Sequence, residues 1–429
     1  MDRFVIEGGH PLSGTVVPSG NKNAALPLLA ASLLAGEPVT LRNVPAIGDV
    51  RTMGELLTSL GASVETLDRH TWRLDTSGVR PVEMDRELFG RIRGSIVLAG
   101  PMLTRFGEVT VPRPGGDVIG RRRVDTHFLA LGALGAEIDA DGTFRLSGKR
   151  LQGNDVLLDE ASVTATENAI MAAVLAKGTT VLYNAACEPH VQDLCHMLNQ
   201  FGAQIRGIGS NTLTIQGVEH LNGGEYTIGA DYMEVGSYIA LAAATGGELL
   251  IKNAAPEHLR MVEMVYRRLG VRFEVRGDDV FVPADQSMAI TPDLGGAIPS
   301  IYDAPWPAFP ADLMSVSVAL ASQCQGTVLF HEKMFESRLY WVDKLIWMGA
   351  RIILCDPHRC VVQGPSPLHG DEVKSPDIRA GMALLLAALC AEGESVIHNI
   401  HQIDRGYEHV EDKLRSLGAR IERVVDCAD

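Results

Sequence analysis

Aromatic side chains make up only 5% of this 429-residue chain, so its core has to be built from aliphatic and alanine packing rather than from rings. Cysteine is sparse and unpatterned. The seven residues Cys187, Cys195, Cys324, Cys355, Cys360, Cys390 and Cys427 form an odd set with no CxxC pair, which excludes a disulfide framework and reads as reduced thiols. Cys355 and Cys360 flank Asp356-Pro357-His358-Arg359 between two β-type runs, a pattern that a hairpin explains better than a metal knuckle. Basic charge is also short. Lys and Arg number 38 against 53 Asp and Glu, a net −15, and so acidic a chain is not a general binder of nucleic-acid backbones. No stretch offers about 18 uninterrupted apolar residues. The opening MDRFVIEGGHPLSG lacks a charged segment followed by an apolar one; a cytoplasmic protein with no membrane association is expected.

What is abundant is glycine, 44 residues in a composition that is 46% hydrophobic, typical of an α/β protein long enough for two or three domains. A hydrophobe-Gly-Ala/Val signature recurs at Gly61, Gly135, Gly202, Gly270, Gly349 and Gly418, with spacings of 74, 67, 68, 79 and 69 residues. Six copies of a unit near 70 residues follow. A second set of glycines, Gly36, Gly107, Gly178, Gly247, Gly326 and Gly393, leads the first by 23 to 28 residues and reads as helix C-caps. They close alanine-rich segments such as NAALPLLAASLLAG and IRAGMALLLAALCAEG. These are apolar on most faces, as buried helices are.

Short β-type runs follow these glycines, among them PVTLRNV, TTVLYNA and TVLFHEK. Stretches such as HVEDKLRSLGA then place apolar residues at helical spacing, and paired alternating runs such as VRFEVRGDDVFVPA read as hairpins. The unit is therefore buried helix, strand, half-exposed helix, hairpin. Periodicity by itself does not say how six such units are grouped, although three per lobe is the simple division.

The run Ser19-Gly20-Asn21-Lys22-Asn23-Ala24-Ala25-Leu26-Pro27 resembles the amino-terminal signature of the UDP-N-acetylglucosamine enolpyruvyl transferases. Similar segments continue in order at Asn43-Val44-Pro45 with Asp49, Arg93-Gly94-Ser95-Ile96, Pro114-Gly115-Gly116, Ser162-Val163 with Ala165-Thr166-Glu167-Asn168, Phe309-Pro310-Ala311-Asp312, Phe335-Glu336-Ser337-Arg338, Asp377-Ile378-Arg379-Ala380 and residues 401–408. The resemblance implies an α/β fold of two lobes, each an inside-out α/β barrel of three units. One lobe would hold residues 1–21 and 231–429, the other residues 22–230 with a lid at 111–123, and the active site would lie in the cleft between them. The implied activity is transfer of the enolpyruvyl group of phosphoenolpyruvate to the 3′-hydroxyl of UDP-N-acetylglucosamine with release of phosphate. That step commits the nucleotide sugar to peptidoglycan, and hence to cell-wall biogenesis, cell shape and division. No cofactor or metal is implied. The sequence does not set an oligomeric state, and a monomer is expected.

Two polyanionic substrates need cations, each pairing at 4 Å being worth about 4 kcal/mol at an intermediate dielectric. For phosphoenolpyruvate the resemblance implies Lys22, Asn23, Arg122, Arg379 and Arg338; for the nucleotide sugar it implies Asn23, Arg93, Arg122, Arg123, Val124, Asp125, Thr126, His127, Ser162, Val163, Asp312 and Met334. The guanidinium fork suits carboxylate and phosphate, whereas a lone arginine is more often ordinary surface charge. Segment 111–123 combines three glycines, two prolines and four arginines and reads either as a mobile basic lid or as a solvated loop. Departures from the family pattern stand at Arg123, where proline is common, Thr126, where leucine is common, Thr164, where glycine is common, and Glu160, which is lysine in some relatives. Asp49, Asp231 and Glu234 also match, with salt bridges or turn hydrogen bonds as sufficient explanations.

The catalytic set implied is Asp117, Asp312, Lys22 and Arg379. Asp117 stands where the family usually has the lid cysteine that protonates C3 of phosphoenolpyruvate, and the antibiotic fosfomycin alkylates that cysteine; insensitivity to the drug is expected. Asp312 matches the general base, yet it immediately precedes the apolar run LMSVSVALA, where an aspartate is a helix N-cap. Cys187, His190, Cys195 and His196 come nearest to a zinc pattern, but Cys195 and His196 are adjacent on a helix and point apart. The competing readings are enolpyruvyl transfer to shikimate 3-phosphate, whose Asn-Ala-Gly-Thr segment is missing from 165–175, a non-catalytic nucleotide-sugar-binding homologue, and a purely structural repeat protein.

Overall fold

The computed structural model describes residues 2–116, 119–120, 122–140 and 143–425. The chain divides into two compact units, one holding the described residues of 1–19 and 230–429 with Ile119 and Gly120, the other those of 20–117 and 122–229. Each unit has its own aliphatic core. Each is an inside-out α/β barrel, with three sheets outside and buried helices inside.

In the first unit the inner helices are Tyr232–Thr245, Met314–Ala321 and Ile378–Cys390. Small residues let them pack closely: a Cβ added at Gly236 would come within 2.8 Å of Leu313. Ser237 and Ser317 are fully buried, and their hydroxyls donate to the carbonyls of Met233 and Leu313, four residues back, at 2.8 Å in both cases, which satisfies them without a partner helix. Asp231 and Asp377 cap the first and third of these helices with their side-chain oxygens. One surrounding sheet pairs the opening strand Arg3–Glu7 with both Glu394–His398 and Arg420–Val424. The amino terminus thus supplies a strand to the last repeat.

The second unit repeats the plan around helices Lys22–Ala31, Ala99–Phe106 and Val163–Ala173. In both units the strand after an inner helix leads to an outer helix and then a hairpin, except in the last repeat, where the single strand Arg420–Val424 pairs with Arg3–Glu7. Strand Val39–Arg42, helix Gly48–Ser59 and the pair Ser63–Asp68 with Thr71–Asp75 form one such set. Outer helices are half-exposed, as their apolar spacing requires; Arg260–Arg268 buries Val262 and Tyr266 alone. The hairpin at Cys355 and Cys360 forms between Arg351–Asp356 and Arg359–Gly364, with its irregularity at Cys355.

All six signature glycines do one job. Gly61, Gly135, Gly202, Gly270, Gly349 and Gly418 lie at φ between +83° and +106°, two residues past an outer helix. In each repeat the glycine N–H and the next residue's N–H return to the last helical turn, as Gly61 does to Thr58 and Ala62 to Leu57. This is a cap that β-carbon-bearing residues resist.

The leading glycines depart from the expectation. Gly107 alone of that set is a left-handed C-cap, and Gly246, not Gly247, caps Tyr232–Thr245. Gly36, Gly178, Gly326 and Gly393 stand three to five residues beyond the helices that end at Ala31, Ala173, Ala321 and Cys390. There the chain turns from helix into strand, and at Gly178, Gly326 and Gly393, at φ +94°, +127° and +90°, this turn rather than the helix end demands the freedom. Among the described residues no helix is long and apolar enough to cross a membrane.

Candidate active site

In the second unit, Asn21 precedes the helix Lys22–Ala31 and its Oδ1 accepts from the backbone N–H groups of Asn23 and Ala24 at 2.8 and 3.1 Å. That cap holds Lys22 in the first turn, where it is buried. Its Nζ lies 2.7 Å from Asp49 Oδ2, the acidic residue in the first turn of Gly48–Ser59. The carboxylate both offsets desolvation of the ammonium and fixes its position. Asn23 follows, half-buried.

Arg93 opens the short helix Arg93–Leu98 and donates through Nη2 to the carbonyls of Arg122 and Arg123 at 2.9 and 2.8 Å. Burial first, then the charge of Arg122, lowers its guanidinium to about 10. Arg123, which is exposed, pairs with Asp125 at 3.2 Å and Asp159 at 2.9 Å. Thr126 is buried and donates to Asp159 at 2.6 Å and to Glu160 at 3.3 Å. The departures at Arg123 and Thr126 are therefore tied to the same acidic turn, 159–160, which lies just ahead of Ser162 and Val163 at the start of Val163–Ala173.

His127 is buried and its ring is held at both nitrogens: Nδ1 lies 2.8 Å from Asn168 Nδ2 and Nε2 lies 3.1 Å from Thr164 Oγ1. An amide nitrogen only donates, so Nδ1 accepts and Nε2 carries the proton. Burial followed by the charge of Arg93 lowers the ring to about 3, which keeps it neutral. Val124 and Asp125 complete the turn into the helix Asp125–Ala133.

Segment 111–123 falls partly within the described residues. A Cβ at Gly115 would lie 1.7 Å from the Gly90 carbonyl, and one at Gly116, at φ +98°, would lie 2.8 Å from the Arg93 Cβ. These glycines permit close approach. In the first unit, Ile119 O accepts from Ser337 N at 3.2 Å. Asp117 lies outside the described residues.

The first unit holds a second cluster. Asp312 sits in the single turn Ala311–Leu313 ahead of Met314–Ala321. Its carboxylate does not cap that helix; Oδ1 accepts from Arg338 Nη2 at 2.8 Å and Oδ2 from Arg379 Nη2 at 2.9 Å. The side chains of Arg338 and Arg379 are 5% and 6% exposed while that of Asp312 is 22% exposed, so the carboxylate is the accessible member of a buried group. Arg379 is placed by the Asp377 cap and donates through Nη1 to the Tyr407 hydroxyl at 3.2 Å. Arg338 stacks on Phe335 at 4.8 Å, and its buried Nε has no partner among the described residues. Met334 is 39% exposed, its N–H bound to Asp303 at 3.2 Å.

Sequence reasoning passed over Tyr407, Asp303 and Glu332. Tyr407 was legible as part of a matched segment, but its contact with Arg379 spans 28 residues. It also passed over the buried state of Glu167, where burial and then the nearby Glu188 carboxylate raise the carboxyl well above its ordinary range. The unfolded chain releases that proton at ordinary carboxylate pH, whereas the folded chain keeps it. Stability from this group is thus full at low pH and declines as pH rises through the ordinary range towards the raised folded value. Thermal unfolding from pH 4 to 8 is expected to fall less steeply for Glu167→Gln than for the unmodified chain, and equal slopes would refute the assignment.

The chain matches the family described as EPSP synthase (3-phosphoshikimate 1-carboxyvinyltransferase) over residues 6–414. It is 54% identical over 422 residues to a protein of Treponema denticola named UDP-N-acetylglucosamine 1-carboxyvinyltransferase, covering 98% of this chain and 99% of the other. A protein of Bradyrhizobium diazoefficiens with the same name is 56% identical, covering 98% of each. Among solved structures, the enolpyruvyl transferase NikO from Streptomyces tendae superposes with a TM-score of 0.86 at 27% identity, covering 99% of both chains. EPSP synthase from Acinetobacter baumannii, at 16% identity and a TM-score of 0.77 over 99% of this chain and 100% of that one, shows the shared fold. By its buried six-unit repeat, its two arginine-bearing clusters and these full-length likenesses, the chain belongs to the EPSP synthase family of carboxyvinyltransferases.

Proposed function

We propose that the protein transfers the enolpyruvyl group of phosphoenolpyruvate to the 3′-hydroxyl of UDP-N-acetylglucosamine and releases phosphate. The observation that carries this reading is Asp312, an accessible carboxylate with one oxygen on each of two buried guanidinium groups. The full-length relatives named for the same reaction support the choice of acceptor.

Protonation comes first. The Asp117 carboxyl gives its proton to C3, turning the methylene into a methyl group and leaving C2 electrophilic. The 3′-oxygen then bonds to C2 as Asp312 takes the hydroxyl proton, forming a tetrahedral ketal. Return of a proton from C3 to the Asp117 carboxylate and rupture of the bond from C2 to the phosphate oxygen restore the double bond and release phosphate, which takes the proton held by Asp312. Arg338 and Arg379 keep Asp312 ionised and aimed; an arriving phosphate or carboxylate competes for them and makes Asp312 a stronger base. Lys22, Asn23 and Arg122 are assigned to phosphoenolpyruvate. Arg93, Arg123 to His127, Ser162, Val163 and Met334 are assigned to the nucleotide sugar, with the neutral His127 ring orienting Thr164 and Asn168. Arg123 serves through its ion pairs with Asp125 and Asp159. Soluble substrates of this kind suit a cytoplasmic enzyme of peptidoglycan synthesis.

The test is phosphate release from phosphoenolpyruvate with either UDP-N-acetylglucosamine or shikimate 3-phosphate as acceptor. Release with the nucleotide sugar alone is expected. Release with shikimate 3-phosphate, or with neither, refutes the proposal.

A further inference from the structure

Beside Asp312 and Arg338 lies a second acid pair with no part in the steps above. Asp303 follows the strand Ser300–Tyr302 and Glu332 follows Gly326–His331; these strands run parallel with Tyr302 opposite His331, so both acids leave neighbouring strand ends at one level. Both are fully buried. Asp303 accepts from the N–H groups of Lys333 and Met334, the two residues after Glu332. Among the described residues neither carboxyl oxygen of Glu332 meets a donor, and the side chain it reaches is Asp303.

Two ionised carboxylates in contact would repel in a medium that screens poorly, whereas a single proton turns the contact into a strong O–H···O bond. Asp303 already accepts from two amide N–H groups whereas among the described residues neither Glu332 oxygen meets a donor, so the geometry puts the proton of the pair on Glu332. Burial, followed by the bond to Asp303, pushes Glu332 up to about 9.

The charged groups facing Glu332 come from several elements. They are Asp303, Arg338 and Asp312, together with His358 from the hairpin turn, whose Nδ1 lies 2.9 Å from the Glu332 carbonyl oxygen. Lys333 directs its ammonium away, over the Tyr302 ring at 3.4 Å. An ionised Glu332 would therefore pull on Arg338, the guanidinium that grips Asp312 Oδ1.

We propose that Glu332 is a positioning residue for the reaction: kept neutral by donating its proton to Asp303, it leaves the Arg338 guanidinium to Asp312. This rests on the reaction proposed above. At alkaline pH the proton leaves, attraction to Arg338 is divided between Glu332 and Asp312, and the base loses its aim.

Two measurements test it. The first is kcat against pH for the unmodified protein, Glu332→Gln and Glu332→Ala. The unmodified protein is expected to lose activity with a midpoint near the Glu332 value of about 9. Glu332→Gln, whose amide donates to Asp303 at every pH, moves that limb up by about one pH unit or more, while Glu332→Ala lowers kcat about tenfold throughout. An unchanged limb in the glutamine variant overturns the inference. The second needs no turnover. The infrared C=O stretch of protonated carboxyls at neutral pH is expected to lose one carboxyl's intensity in Glu332→Gln, and equal intensity overturns the inference even if the reaction itself fails with both acceptors.

Discussion

Asp312→Asn is expected to lower kcat for phosphate release by about 10²- to 10⁴-fold, the usual contribution of a positioned proton acceptor. Asparagine has nearly the same shape and can still accept from one arginine through its carbonyl oxygen, so the loss would report charge and basicity rather than packing. A second effect accompanies it. Arg338 and Arg379 are buried, and Asp312 is the anion bonded to both; removing one partner of a buried ion pair costs about 3–5 kcal/mol. Thermal unfolding should therefore shift downward as well. Bound phosphoenolpyruvate should restore part of that stability, because its carboxylate or phosphate replaces the lost charge. A variant that turns over within threefold of the unmodified protein would remove Asp312 as the base.

At Asp117 the expected result is a pair of opposite outcomes. Asp117→Asn, which carries no acidic proton, should lose about 10²- to 10⁴-fold in kcat. Asp117→Cys should retain turnover and acquire time-dependent covalent inactivation by fosfomycin, to which the unmodified protein is expected to be insensitive. Of the six described thiols only Cys355 is exposed, so any modification has to be mapped to its residue. Burial pushes Cys187 up to about 11 and Cys195, Cys324, Cys360 and Cys390 up to about 12, so almost none of them is a thiolate at neutral pH. For aspartate to act as the acid its carboxyl must rise from about 3.9 towards neutrality, at about 1.4 kcal/mol per unit. A polyanionic substrate nearby supplies that rise by repelling the carboxylate. Covalent modification of the unmodified protein by fosfomycin, followed by mass spectrometry, would contradict this account.

The local parts of the fold were written in local sequence. An outer helix closed by Gly-Ala or Gly-Val needs only its own last turn to form the cap, so all six signature glycines were readable from spacing. The leading glycines were misjudged because composition marks where an alanine-rich segment ends, not how many residues the turn into the next strand consumes. At Asp312 both available readings, cap and base, were compatible with the neighbouring residues. The arginines that draw the carboxylate away from the cap arrive from 26 and 67 residues away. Asp49 likewise matched a known position without announcing that it would hold Lys22.

Sequence by itself determined the six-fold repeat, the buried alanine-rich helices, the half-exposed outer helices and the family, because each depends on periodicities and short motifs contained within one repeat. Only the tertiary structure decided which ionisable groups meet: Lys22 with Asp49, Asp312 with Arg338 and Arg379, and Glu332 with Asp303. Those pairings, and the protonation states of Glu332, Glu167 and His127 that accompany them, depend on burial and on distances between segments far apart in the chain.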